Sequence, residues 1–214
     1  MPARQLVIDY VLEGHQRGYN FTSSTDGYSD AELKLIWRRA MPRGQGWSQY
    51  IGARSLKCFP LDGQRRAAVC ETVVTAQRDE HGRGGIRQVT IDVLPYADYF
   101  AYLDQRLLKL PDAVRTQVDR MPTFSQRLSI SNSLMTHKKD QLVLLHPYNG
   151  PDRWQIMEGF LVKLALAPLT VMRRWGPVVS LTTLALNHQE ESSLVALPAE
   201  KAGTVDRKTP SIKI

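Results

Sequence analysis

Apolar and polar positions along this chain repeat with two periods, one of two residues and one near 3.6, and the two kinds of stretch come in blocks. Residues 5–12 (QLVIDYVL) are rich in β-branched side chains, with Asp9 as the one charge, and predict a first strand. Two glycines among polar neighbours over 13–20 predict a loop or hairpin turn, and 19–25 (YNFTSST) a returning strand. Ser29-Asp30-Ala31-Glu32 has the form of a capping box. The Ser29 hydroxyl can accept from the Glu32 amide while the Glu32 side chain reaches back to the Ser29 amide. Leu33, Ile36, Trp37 and Ala40 follow at helical spacing, so a helix is predicted over 30–41, ended by Pro42, Gly44 and Gly46.

Residues 48–61 predict a strand with a break at Gly52, Asp62-Gly63 a turn, and 67–76 (AAVCETVVTA) a strand. A polar, glycine-rich connection over 78–85 leads into 86–94 (IRQVTIDVL), which alternates cleanly with Val89, Ile91 and Val93 on the face to be buried. The stretch 48–94 therefore reads as an antiparallel meander or a pair of hairpins. Pro95 opens a helix predicted over 96–109, and Pro111 restarts a shorter one to 120 with Val114 and Val118 four apart. Residues 123–146 are ambiguous: 124–130 has strand character, and 141–145 (QLVLL) is predicted as strand. A helix over 153–167 would turn Ile156, Phe160 and Leu164 inward, with Met157 and Leu161 beside them, and Pro168 stops it. Strands are predicted over 178–186 and 193–197. Beyond Pro198 the apolar period disappears, which predicts one domain over 1–198 and a flexible C-terminal tail over 199–214; Ile212 and Ile214 would suit docking on a partner. No internal repeat is visible. Elements in blocks rather than strict alternation predict an α+β fold, a mainly antiparallel sheet with three to five helices packed on it.

The 214 residues are 43% hydrophobic and 23% charged, enough apolar surface to bury a core, which excludes collagen-like, mucin-like and wholly disordered readings. Two cysteines, Cys58 and Cys70, are too few for a disulfide scaffold. They fall in two strand-like runs that could be neighbours, so a single bridge stays open, but buried thiols in a reducing compartment are the simpler expectation. The N-terminus has no apolar stretch of signal-peptide length. The most apolar segment, 160–179, is interrupted by Lys163, Pro168, Arg173, Arg174 and Pro177, whereas a membrane span needs about 20 nearly uncharged residues. A cytoplasmic location with no membrane is the expectation. The net charge of +7 and the pI near 9.5 are mild, and the basic pairs are scattered without a run of five or six like charges.

Catalytic signals are weak. Gly82-Arg83-Gly84-Gly85 has the glycines of a phosphate loop but leads into a strand and lacks the Gly-Lys-Ser/Thr ending. Residues 14–18 fail the dinucleotide fingerprint for the same reason. The five histidines, His15, His81, His137, His146 and His188, include no pair at i, i+4, and no Cys-x-x-Cys occurs, so neither a metal nor a cofactor is expected. No Gly-x-Ser-x-Gly elbow is present, and the adjacent carboxylates Asp79-Glu80 and Glu190-Glu191 carry no acid/base geometry by adjacency alone. Binding chemistry is better supplied. Arg38, Arg39 and Arg43 sit at the C-terminal end of the capped helix, where cations are favoured, close in sequence to Trp37, Trp47 and Tyr50. Arginines among aromatics suit an acidic protein surface or a nucleic-acid backbone.

Three segments in a fixed order resemble the N-terminal module of the GTPase-associated proteins encoded in bacterial conflict (anti-phage) islands. They are 12–24 (LEGHQRGYNFTSS), similar to that family's strand, Gly/His-rich turn and Ser-Ser hairpin; the strand 67–76; and Gly82-Arg83-Gly84-Gly85 leading to a strand that ends Val93-Leu94-Pro95-Tyr96-Ala97-Asp98-Tyr99. The pattern spans 6–100. His15 is the one histidine of the turn, with Tyr19 where the family often carries a second. The resemblance implies a non-enzymatic adaptor acting beside a GTPase or other NTPase. The expected role is therefore a non-catalytic interaction subunit with protein partners, an NTPase among them. Its candidate partner-binding residues are Gly14, His15, Arg17, Gly18, Tyr19, Arg38, Arg39, Arg43, Gly82 and Arg83. The alternative is a nucleic-acid-binding subunit of an RNA-guided or DNA-processing assembly, using the basic surface. An enzyme whose site assembles from dispersed residues is a third reading.

Overall fold

Strands apolar on one face need cover on one side, and strands apolar on both need cover on two. Both kinds occur here. The computed structural model describes residues 4–12, 17–41, 51–52, 54–61, 65–120, 123, 125–126, 128–130, 132, 142–146, 152–166, 179–181, 194–198, 203 and 211–213. In chain order the elements are β1 (Arg4–Val11), β2 (Gly18–Phe21), α1 (Asp30–Ala40), β3 (Arg54–Leu61), β4 (Arg66–Val74), β5 (Arg87–Pro95), α2 (Tyr96–Leu108), α3 (Asp112–Asp119), β6 (Leu142–His146), α4 (Arg153–Leu166), β7 (Val179–Leu181), β8 (Leu194–Pro198) and β9 (Ser211–Lys213). Among the described residues the strands form one nine-stranded sheet in the order β2-β1-β5-β4-β3-β7-β8-β6-β9. The run from β2 to β7 is antiparallel throughout, and β7, β8, β6 and β9 pair in parallel. The fold is α+β with a mainly antiparallel sheet, as the blocks of strand and helix predict.

The central strand β4 is buried on both faces. Ala67 and Val69 look into one core with Leu56, Cys58, Leu94, Tyr99, Leu103, Met157 and Phe160, the side covered by α2 and α4. Ala68 and Cys70 look into the other with Leu6, Ile8, Phe59, Leu61, Val89 and Ile91, covered by Ile36 and Ala40 of α1. Leu6 stands opposite Ile91, Ile8 opposite Val89 and Ala68 opposite Val93, so the alternating face of β5 is buried as expected. Tyr99, Phe59 and Phe160 are among the largest fully enclosed side chains, and each of the two Phe rings contributes roughly 1.5–3 kcal/mol through burial. Val114 and Val118 bring α3 onto Ile156 of α4, the helical spacing read from the sequence.

Local chemistry sets the ends of the elements. Ser29 Oγ accepts from the Glu32 amide at 3.3 Å and Glu32 Oε2 accepts from the Ser29 amide at 2.8 Å, completing the capping box. Arg66 at the start of β4 pairs with Glu32, tying the helix start to the sheet. The strand predicted over 19–25 stops at Phe21, because Ser23 Oγ takes the Val7 amide at 2.9 Å and Ser24 bonds Asp26.

One expectation is corrected. Residues 125–126 and 128–130 are helical, not strand. Thr123-Phe124-Ser125-Gln126 is a second capping box: the Gln126 amide donates to Thr123 Oγ1 at 3.3 Å and the Thr123 amide to Gln126 Oε1 at 2.8 Å. Of the segment read as a tail, Ser211–Lys213 forms β9 at the sheet edge, with Ile212 opposite Leu144. The turn at 62–63, the helix stop at 42–46 and residues 182–186 lie outside the described residues.

Candidate functional site

Antiparallel register decides which loops share an end of the sheet. Val11 pairs with Gly18 and Ile8 with Val89, so Leu12 and Arg17, at the ends of β1 and β2, lie at the same end as the β4–β5 connection. That connection is held by a single carboxylate. Asp79, with its side chain 7% exposed, accepts from the His81 and Arg83 amides at 2.9 and 2.8 Å and from Arg83 Nε at 2.6 Å. Burial works to raise the Asp79 carboxyl, but these donors outweigh it and hold it below its ordinary value. Gly82 takes φ +73° at the apex, where an added Cβ would meet no atom but would be strained. The loop is also fastened sideways, since Tyr10 Oη donates to Glu80 at 2.8 Å; just beyond it, at the first residue of β5, the Arg87 amide donates to Tyr19 Oη at 3.0 Å. The Tyr10 and Tyr19 rings meet edge to face at 5.2 Å. Gly18, Tyr19, Gly82 and Arg83 are thus brought together, with Arg17 exposed beside them. Gly14 and His15 lie outside the described residues.

The basic end of α1 is elsewhere. Arg39 Nη1 donates to the Pro60 carbonyl at 3.1 Å and its guanidinium lies 5.6 Å from the Phe59 ring centre. Pro60 faces Ala67 at the opposite end of the sheet from the Gly82 loop. Arg38 is exposed there. Trp37 packs edge to face on Phe21 at 5.5 Å and belongs to the core. Arg43, Trp47 and Tyr50 lie outside the described residues.

The structure assembles a third place that sequence reading missed. A cleft of about 270 Å³ opens between β3, α2 and α4, with Arg54, Arg106, Lys109 and Glu158 as its charged lining. Glu71 of β4 pairs with both Arg54 and Arg106, and Arg106 also pairs with Glu158, its Nε 3.1 Å from Oε1. Burial works against the Arg106 charge, but the Glu158 carboxylate outweighs it and holds the guanidinium above its ordinary value. Tyr102, also in the lining, donates to Asp92, and burial followed by that carboxylate pushes its hydroxyl up to about 12. Glu71 and Glu158 each stand alone as a charge inside an apolar stretch, and a buried charge must find a partner; that was the one signal available in the sequence.

The thiols offer no nucleophile. Cys58 and Cys70 are free and face opposite cores, so they do not bridge. Burial pushes Cys58 up to about 12 and Cys70 well above its ordinary value. Among the described residues no group of three or more His, Cys, Asp or Glu is placed to hold a metal ion, and no helix is long and apolar enough to cross a membrane. Comparison with models of protein families, with curated proteins and with solved structures finds no match to this chain.

Proposed function

We propose that this chain is a non-catalytic interaction subunit that recognises an acidic surface of a protein partner through the end of the sheet carrying Arg17, Gly18, Tyr19, Gly82 and Arg83. The observation that supports it is the loop built on Asp79. It is exposed, with the Arg83 side chain 71% accessible, yet it is bonded internally and, through Glu80, to Tyr10 of β1. A surface held in shape before binding loses little conformational entropy on docking. The resemblance of residues 6–100 to GTPase-associated conflict-island proteins supports a partner assembly that contains an NTPase, in a bacterial defence setting.

The test is native purification of the chain from its own cells, with mass spectrometry of co-eluting protein and assay of nucleic acid. A stoichiometric protein partner is expected, recovered poorly with Arg17→Glu combined with Arg83→Gln and normally with Arg38→Glu. Nucleic acid as the main companion, released with a steep dependence on salt, would overturn the reading, as phosphate contacts release counterions. Unchanged recovery of the partner with the loop variant would also overturn it.

A further inference from the structure

In the cleft between β3, α2 and α4, Arg106, Glu158 and Glu71 consume one another's charge, so its binding character lies in what they leave over. Arg54 reaches Glu71 through a terminal nitrogen, and its side chain, 35% exposed, still borders the cleft. Lys109, Gln105 and Gln155 line the same cleft, and among the described residues none of their side chains has a hydrogen-bond or ion-pair partner. Three cations, Arg54, Arg106 and Lys109, stand against two carboxylates, Glu71 and Glu158, which leaves one positive charge unbalanced. The carboxylates already accept from guanidinium groups, so what the cleft still offers is mostly N–H. Leu110 and Pro111 add a short apolar wall.

We propose that this cleft binds a small oxyanion-bearing molecule, its carboxylate or phosphate group seated against Lys109 and Arg54 and oriented by the Gln105 and Gln155 amides. The ammonium supplies charge without fixed geometry, and the amides and the planar guanidinium supply direction. The cleft, about 270 Å³, suits a short-chain acid or a small phosphate ester with its carbon skeleton on Leu110 and Pro111. The Arg106 network is then the rigid back of the site, holding Arg54 through Glu71.

Isothermal titration calorimetry on the full chain, at fixed ionic strength, tests this with inorganic phosphate in one arm and succinate in another. Saturable 1:1 binding is expected in at least one arm, and the arm that saturates assigns the group. Lys109 is exposed, so Lys109→Gln should fold as the parent does and weaken binding at least tenfold; Lys34→Gln, on the other side of the sheet, should leave it unchanged. Absence of saturation in both arms, full-strength binding by Lys109→Gln, or an equal loss with Lys34→Gln would each overturn the proposal.

Discussion

Arg106 of α2 and Glu158 of α4 form an ion pair, Nε to Oε1 3.1 Å, in a side-chain environment 18% and 10% exposed. Two helices that meet mostly through apolar side chains are thereby joined at one polar point, which Glu71 extends to the sheet. Removing one member leaves the other's charge without its partner at the back of a cleft that hydrates it only in part. Arg106→Leu should cost about 3–5 kcal/mol, the range for breaking a buried pair from one side. The double variant Arg106→Leu/Glu158→Leu should cost less than Arg106→Leu alone. Urea unfolding midpoints for the parent and the variants check both statements, and a double variant worse than the single would refute the second.

The capping box of α1 makes stability depend on acid. The Ser29 amide and hydroxyl, with Arg66, hold the Glu32 carboxyl below its ordinary value, ~4.3 in an unfolded chain. The folded chain therefore binds this proton less readily than the unfolded one. Its contribution is complete above the unfolded value and is lost as pH falls through the folded one. Ser29→Ala should lower stability by about 1 kcal/mol at neutral pH and flatten the acid limb below pH ~4. Melting temperatures from pH 3 to 7 on both proteins test this; parallel curves would count against it.

Both thiols should be silent in the folded protein. Cys58 is pushed up to about 12 and is fully buried, and Cys70 faces the other core. Native protein at pH 8 should react with a thiol reagent only as fast as it opens, and both cysteines should react at once in urea. Reductant should leave the melting temperature unchanged. Rapid labelling of either residue in the native state would contradict the burial.

Gly159 is required by contact, not by backbone conformation. A Cβ there would stand 2.7 Å from Val118 Cγ2 and 2.8 Å from Leu110 Cδ1, where α3 crosses α4. Alanine favours a helix by ~1 kcal/mol over glycine, but crowding of this kind costs typically 1–3 kcal/mol. Gly159→Ala should be net destabilising, and adding Val118→Ala should recover part of the loss. A more stable Gly159→Ala protein by chemical denaturation would show that the helices yield.

The elements governed by neighbours in the chain could be read before any coordinates. Ser29 and Glu32 announced α1, and Val89, Ile91 and Val93 announced both β5 and its inward face, because capping and alternation act over a few residues. Thr123 and Gln126 carried the same capping signal, which strand-like propensity at 124–130 obscured. What tertiary structure alone decided is which distant residues meet. Arg54, Glu71, Arg106 and Glu158 come from four elements, and no local rule relates them. Ion pairing acts through space, and only the register of β3 on β4 and the packing of α2 on α4 bring these four charges to one place. The same holds for Gly18 and the Gly82 loop. Composition supplied the glycines, but antiparallel pairing of β1 with β5 set them at one end of the sheet and left Arg38 and Arg39 at the far end.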